Sequence, residues 1–446
     1  MASARSASDD MEHTTSHLID EARGHEQRGH TIQAELLYRR VLNHSPGHAF
    51  ASTRLAQFAI NRGDLAAGIR LVKDAIRANP SNTELRINLA VIHVTADAPQ
   101  QAIATLQSSL AQSPDQPAAW LMLGQLHDAA GAHAAGLRAA FEGVTRARQR
   151  GQWLDEQSTP PQLLDAVLSA TARIRDERRE LFLRSYDEVR ETFGATALHR
   201  VDHAVKTYLR EADSKPTHPA QRPRFLYFPG LPDQPYHDPY LQPWARRLKE
   251  SFAGIRQEAI RVLTEDSQLP AFVNVKDGDK MENYVGGNGL NPSWEAFFFY
   301  RRGMRFDANH ARCPETSAVL DAIDLCRIND QAPEICFSIL RAGTVILPHY
   351  GVTNTRLVMH LPLVVPGDCA LNVTGGGEHH WAEGELVMFD DTFEHDAWNK
   401  SSDTRVVLLM DCWNPHLSAA ERLAVKQLIE TITALQLADK QVQGRA

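Results

Sequence analysis

Over the first third of the chain, apolar residues recur at intervals of three and four, the spacing of one buried face on an α-helix. Three such runs, LLYRRVLNHSP, RLVKDAIRANP and ATLQSSLAQSP, close on Pro46, Pro80 and Pro114, each 34 residues from the next. The same offset links Gly29, Gly63 and Gly131, with Asp97 in the remaining slot. It also links Leu55, Leu89 and Leu123, each followed by a small residue (Ala56, Ala90, Gly124). Small residues let two helices approach, leucines fill the space between them, and proline ends a helix by withholding a donor. From about 157 to 222 the pattern is helical and highly charged, and it runs into SKPTHPAQRPRF, whose three prolines mark a domain boundary. After Pro333 the period shortens. EICFSILRAGTVIL, TRLVMHLPLVV, CALNVTG, GELVMFDD and TRVVLLMDCW are short apolar runs bounded by Gly, Pro, Asp or Asn, as in an all-β sandwich or jelly roll.

The 34-residue unit resembles the tetratricopeptide repeat, which implies stacked helix pairs and a surface for recognition instead of chemistry. The organisation expected is a multidomain chain: an all-α repeat solenoid over 1–150, a helical linker over 151–222, and a β-rich domain over 223–446. That last domain is expected to be a double-stranded β-helix, jelly-roll and cupin-like, with flanking helices. The SAAE run at 418–421 predicts a capping box at the start of a terminal amphipathic helix.

On a strand, side chains two apart share a face. Arg356, Val358 and His360 therefore point one way, and Leu357, Met359 and Leu361 the other. The aliphatic set suits packing; the polar set, with Ser338 and Arg405 on other strands, lines a cavity. A cavity holding two cations calls for an anion. His349 ends one apolar run, and His395 lies in a polar stretch expected to be a turn, ten residues before Arg405. Neutral imidazole is a common ligand for iron and similar divalent metals. Two histidines from distant strands beside a buried arginine suit Fe(II) and a dicarboxylate.

Composition narrows the partners. A formal net charge of -8, with no basic run, excludes a nucleic-acid footprint. No stretch reaches the roughly 18 apolar residues of a membrane helix, and the N-terminus lacks a signal-type apolar core, so a cytoplasmic protein is expected. Five cysteines without CxxC spacing argue against a disulfide framework or structural zinc. GGNG at 286–289 lacks the context of a phosphate loop and reads as a loop able to close a pocket; GGGEHHW at 375–381 reads as a hairpin tip.

The runs PHYGVTNTRLVMHLPLVVP, WAEGELVMFDDTFEHDAWN and TRVVLLMDCWNP resemble the core of the aspartyl/asparaginyl β-hydroxylase family, Fe(II)- and 2-oxoglutarate-dependent dioxygenases. The resemblance implies His349 and His395 as iron ligands and Arg405 as partner of the distal carboxylate of 2-oxoglutarate. It implies Ser338 and His360, with Arg356 nearby, as further cosubstrate contacts. It also implies that Gly351 stands where most related oxygenases carry a metal-binding acid, so that a carboxylate introduced there is expected to tighten metal binding. Asp390 and Asp391 then support the site without ligating. Val358 occupies the place of an arginine thought to contact acidic substrates in human-type members. The leading expectation is hydroxylation at the β-carbon of an Asp/Asn-type residue in a protein or peptide. The alternatives are a small-molecule or lipid-acyl hydroxylase on the same core, and a repeat scaffold with an idle barrel.

Overall fold

The 34-residue period becomes four consecutive helix pairs: α1 (Ala2–Gln27) with α2 (Thr31–His44), α3 (Ala49–Asn61) with α4 (Leu65–Ala78), α5 (Thr83–Thr95) with α6 (Pro99–Gln112), and α7 (Pro117–Ala129) with α8 (His133–Gln149). The structure is a computed structural model that describes residues 2–266, 269–272, 284–288 and 293–443. Pro46, Pro80 and Pro114 each follow the second helix of a pair by two residues. The turns inside the pairs all pass through the left-handed region: Gly29, Gly63 and Gly131 at φ 76, 83 and 76°, and Asp97 at φ 52°. Aspartate is one of the few side chains tolerated there, which is why the repeat survives without its glycine. Leu55, Leu89 and Leu123 are buried as expected. At Gly124 an added Cβ would stand 3.0 Å from the Gly136 carbonyl, so α7 and α8 pack backbone to backbone. The fourth pair carries no closing proline, but Leu123, Gly124 and Gly131 mark it in the sequence.

The chain divides into two compact units between Glu177 and Arg178. Among the described residues of the second unit twelve strands form two antiparallel sheets. They are β1 (Tyr236–His237), β2 (Val285–Gly287), β3 (Trp294–Arg301), β4 (Met304–Arg305), β5 (Ile335–Leu340), β6 (Thr344–His349), β7 (Arg356–Val364), β8 (Cys369–Val373), β9 (Gly377–His380), β10 (Val387–Phe389), β11 (His395–Asn399) and β12 (Arg405–Trp413). One sheet runs β1-β10-β7-β12-β5-β3-β4 and the other β2-β6-β11-β8-β9, a jelly-roll arrangement. Alternation along β7 has the consequence read from the sequence. Leu357, Met359 and Leu361 pack with Phe297, Phe337 and Leu408 under the helices Ala245–Glu250 and Phe252–Glu265, while Val358 joins Ile346, Leu371 and Phe389 between the sheets.

Three expectations need correction. His395 opens strand β11 instead of lying in a turn; its short HDAWN run lacks the apolar length that marks a strand in sequence. Val285–Gly287 is a strand paired with β6 where a loop was expected, because ladder pairing can recruit glycine-rich backbone that propensity alone would leave unpaired; the glycine run at 375–376 is the expected hairpin tip, between β8 and β9. The rest of the expected pocket-closing loop, 289–292, lies outside the described residues. The linker expected over 151–222 is not a separate segment. Phe182, Tyr186, Val189, Leu198, Val201 and Val205 are buried with Leu226, Phe228, Leu428 and Ile429 in one core. That core includes the C-terminal helix Ala419–Gln443, whose start is fixed by the capping box: Ser418 N–H donates to Glu421 Oε2 at 2.9 Å, and Glu421 N–H to Ser418 Oγ at 3.2 Å. Among the described residues no helix is long and apolar enough to cross a membrane.

Losing one large buried side chain costs about 2–5 kcal/mol, and a domain's whole stability is about 5–15 kcal/mol. A chain beginning at Arg178 is therefore expected to melt cooperatively by circular dichroism. One beginning at Pro223, which lacks six of these core side chains, is expected to show no native transition.

Candidate active site between the two sheets

His349 ends β6 and His395 begins β11, and the two are direct partners across the ladder. Their ring centroids lie 4.1 Å apart. Each Nδ1 sits 2.9 Å from the carbonyl oxygen two residues earlier, of Leu347 and of Phe393. Carbonyls only accept, so this contact assigns the proton to Nδ1 and leaves the Nε2 lone pair of each ring available, the arrangement usual for metal-binding histidines. Burial disfavours the charged imidazolium, lowering His349 and taking His395 down to about 3. Both rings are thus neutral at ordinary pH. Among the described residues no group of three His, Cys, Asp or Glu side chains is placed to hold a metal ion. The pair suits a metal whose remaining positions are filled from outside the protein.

Arg405 opens β12 and is 1% exposed. Its Nη1 donates to the Ser338 carbonyl at 3.2 Å and reaches the Ser338 hydroxyl at 3.4 Å; its guanidinium carbon lies 4.7 Å from the centre of the Trp381 ring. Its Nε has no partner, and among the described residues no carboxylate forms an ion pair with it. Burial pushes its pKa down to about 10, which still leaves it charged at neutral pH. Beside it His360 is buried with neither ring nitrogen partnered, and burial, reinforced by Arg405, keeps it neutral. A buried cation without a partner is costly unless an anion joins it. Ser338, His360, Arg405 and the two metal-suited histidines line one cavity of about 920 Å³, walled on its apolar side by Ile346, Val358, Leu371 and Phe389.

Arg356 is placed differently from the other residues expected to hold the cosubstrate. Its Nη1 lies 2.5 Å from Asp411 Oδ2, with both side chains largely buried. The same Oδ2 accepts the Glu334 N–H at 3.0 Å, and Glu334 faces Arg301 at 3.8 Å. A row of two ion pairs, with the acids innermost, thus crosses the cavity wall from β3 to β7, and Arg356 carries no free charge for an anion. Asn354 also proves structural, since its side chain is bonded both ways to the Phe228 backbone at 2.8 and 3.0 Å. Asp390 accepts from Thr392 and Gln221 within the turn before β11. His379 and His380 lie on edge strand β9, and His379 packs on Tyr236. Sequence reasoning missed Trp294 and Asp411 on the cavity and Trp381 against Arg405, because nothing in their local pattern separates an aromatic or acid that meets the site from one that only fills the core.

Gly351 has a physical reason to be glycine. A Cβ there would stand 2.1 Å from the Asp391 carboxyl carbon, so the space a side chain at 351 would enter is already filled by a carboxyl group from the neighbouring loop. Asp391 lines the cavity, and burial, with Asp390 close by, lifts its pKa to about 8.

The family model for aspartyl/asparaginyl beta-hydroxylase matches residues 249–415, a span that holds every cavity residue discussed above. A tetratricopeptide-repeat model matches 62–126. Aspartate beta-hydroxylase domain-containing protein 2 of Mus musculus is 32% identical over 244 residues, 53% of this chain and 67% of that protein. This chain belongs to the aspartyl/asparaginyl beta-hydroxylase family. The human protein of the same name is 32% identical, and this chain spans 62% of its length. Ornithine lipid ester-linked acyl 2-hydroxylase of Rhizobium tropici is 32% identical over 197 residues, 44% of this chain and 66% of that protein.

The crowding at Gly351 can be tested by stability alone. Gly351→Ala is expected to cost about 1–3 kcal/mol, the usual range for overpacking. Adding Asp391→Ala should recover most of that loss in urea unfolding, and additive losses would contradict the placement.

Proposed function

We propose that this protein is an Fe(II)- and 2-oxoglutarate-dependent hydroxylase acting on an unactivated C–H bond, with the uncharged side chain of an Asn-type residue in a protein or peptide as the preferred target. The observation that carries the reading is the fully buried Arg405, without a carboxylate partner among the described residues, sharing one cavity with two histidines whose Nε2 atoms are free. Iron and 2-oxoglutarate, when bound, supply the oxidising chemistry: oxygen is consumed, succinate and carbon dioxide are released, and one oxygen atom enters the C–H bond.

The chain's own residues have positioning roles. His349 and His395 would hold the metal through Nε2, each ring kept in orientation by its Nδ1 contact. Arg405 and Ser338 would hold the distal carboxylate, with His360 beside them. No side chain needs to accept a proton from the target carbon. Target preference follows from charge: Val358 is apolar, and Arg356 is paired with Asp411, so with Arg405 taken by the cosubstrate neither position 356 nor position 358 offers a cation to an ionised aspartate side chain. The tetratricopeptide repeats favour a protein partner. One observation favours a second reading, an acyl chain as target: the apolar wall of Ile346, Val358, Leu371 and Phe389 would suit it, and a relative is named for acyl 2-hydroxylation.

Anaerobic loading with Fe(II) and 2-oxoglutarate, followed by oxygen, is expected to yield succinate stimulated more by asparagine peptides than by matched aspartate peptides. Stimulation by acyl lipids alone would shift the assignment to the second reading, and an absence of both binding and turnover would leave an idle barrel. Separately, Arg405→Leu removes one partner of a buried charged contact, a change that costs about 2–5 kcal/mol. At about 1.4 kcal/mol per tenfold, 2-oxoglutarate affinity measured by calorimetry should fall by between roughly thirty-fold and several thousand-fold, with metal affinity little changed.

A further inference from the structure

Trp294 takes no part in the roles assigned above, yet it touches both ends of the cavity. Its Nε1 donates to the Ser338 hydroxyl at 2.9 Å, and its ring centroid lies 6.3 Å from that of His349. It is held firmly. The Phe272 ring stacks on it at 4.0 Å and 8°, the Phe272 N–H donates to its carbonyl at 2.9 Å, and it pairs with Leu340 in the sheet.

A serine hydroxyl has two acceptor lone pairs and one proton. Indole N–H and guanidinium N–H can only donate. Trp294 and the weaker Arg405 contact therefore both use Ser338 Oγ as acceptor. Its own proton has no acceptor among the described hydrogen bonds, and Ser338 lines the cavity. From this accounting, and resting on the cosubstrate reading above, we infer that Trp294 is a positioning residue: by filling one acceptor site of Ser338, its N–H turns the serine proton toward the carboxylate held by Arg405. A donor-only neighbour is well suited to this, because the serine cannot satisfy itself by donating back to it. Phenylalanine at 294 would keep the stack on Phe272 and lose only the directing N–H.

The test is calorimetric binding of 2-oxoglutarate to the Mn(II)-loaded full chain without oxygen, for wild type, Trp294→Phe, Ser338→Ala and the double variant. Each single change is expected to weaken binding roughly three- to tenfold, the scale of one net hydrogen bond. The double variant should be no weaker than Ser338→Ala, and Mn(II) affinity and melting temperature should stay at their wild-type values. A purely structural role would instead lower the melting temperature without coupling to Ser338. Wild-type affinity in Trp294→Phe, or losses that multiply in the double variant, would overturn the inference. If Trp294→Phe does not fold, the Trp294 indole N–H resonance carries the test: 2-oxoglutarate should shift it far more in wild type than in Ser338→Ala, and equal shifts would refute the role. Absence of 2-oxoglutarate binding to the wild-type chain would mark failure of the cosubstrate reading itself, and both would fall together.

Discussion

The second unit is organised around one unfavourable fact, a guanidinium buried between two sheets without a protein carboxylate among the described residues to balance it. Leaving a charge in that state costs several kcal/mol. The protein offsets part of this with the Trp381 face and the Ser338 backbone and hydroxyl, and leaves the rest for an anion to meet. Ser338 on β5, His360 on β7 and Arg405 on β12 converge because their strands are neighbours in one sheet, and the two metal-suited histidines come from the opposing sheet. A ligand with an anionic end and a metal-binding end would bridge the two.

Much of this was legible in the sequence where regular periods carry the information. The 34-residue spacing gave the helix pairs down to the odd slot at Asp97, and strict alternation along β7 separated core from cavity before any coordinates. What was not legible depends on partners distant in the chain. β11 is a strand because β6 and β8 flank it, not because HDAWN favours extension. The amphipathic helices after Arg178 look like a linker until the terminal helix, more than 200 residues later, supplies the surface they bury against. The candidate site divided in the same way. His349, His395 and Arg405 could be named from pattern and resemblance, whereas the neutralisation of Arg356 by Asp411 and the indole on Ser338 are cross-strand facts that no local window contains.

The histidine pair and Gly351 show one constraint from two sides. Placing the imidazoles on partnered positions of β6 and β11 brings the two chain segments so close that the loop after β6 lies against the Asp391 carboxyl, and only a residue without a side chain fits. The absent acid at 351 is therefore a packing outcome as much as a chemical one, and a carboxylate added there would first have to displace that of Asp391.

The row Arg301, Glu334, Asp411 and Arg356 has its own consequence for how a target arrives. Charges that cancel over a few ångströms project almost no field beyond a Debye length, about 8 Å at physiological ionic strength. Such a wall cannot draw ions in from a distance, as a one-sign cleft does. As far as this wall is concerned, added salt should slow the arrival of an uncharged target very little. Long-range attraction, where a partner needs it, must come from surfaces elsewhere on the chain.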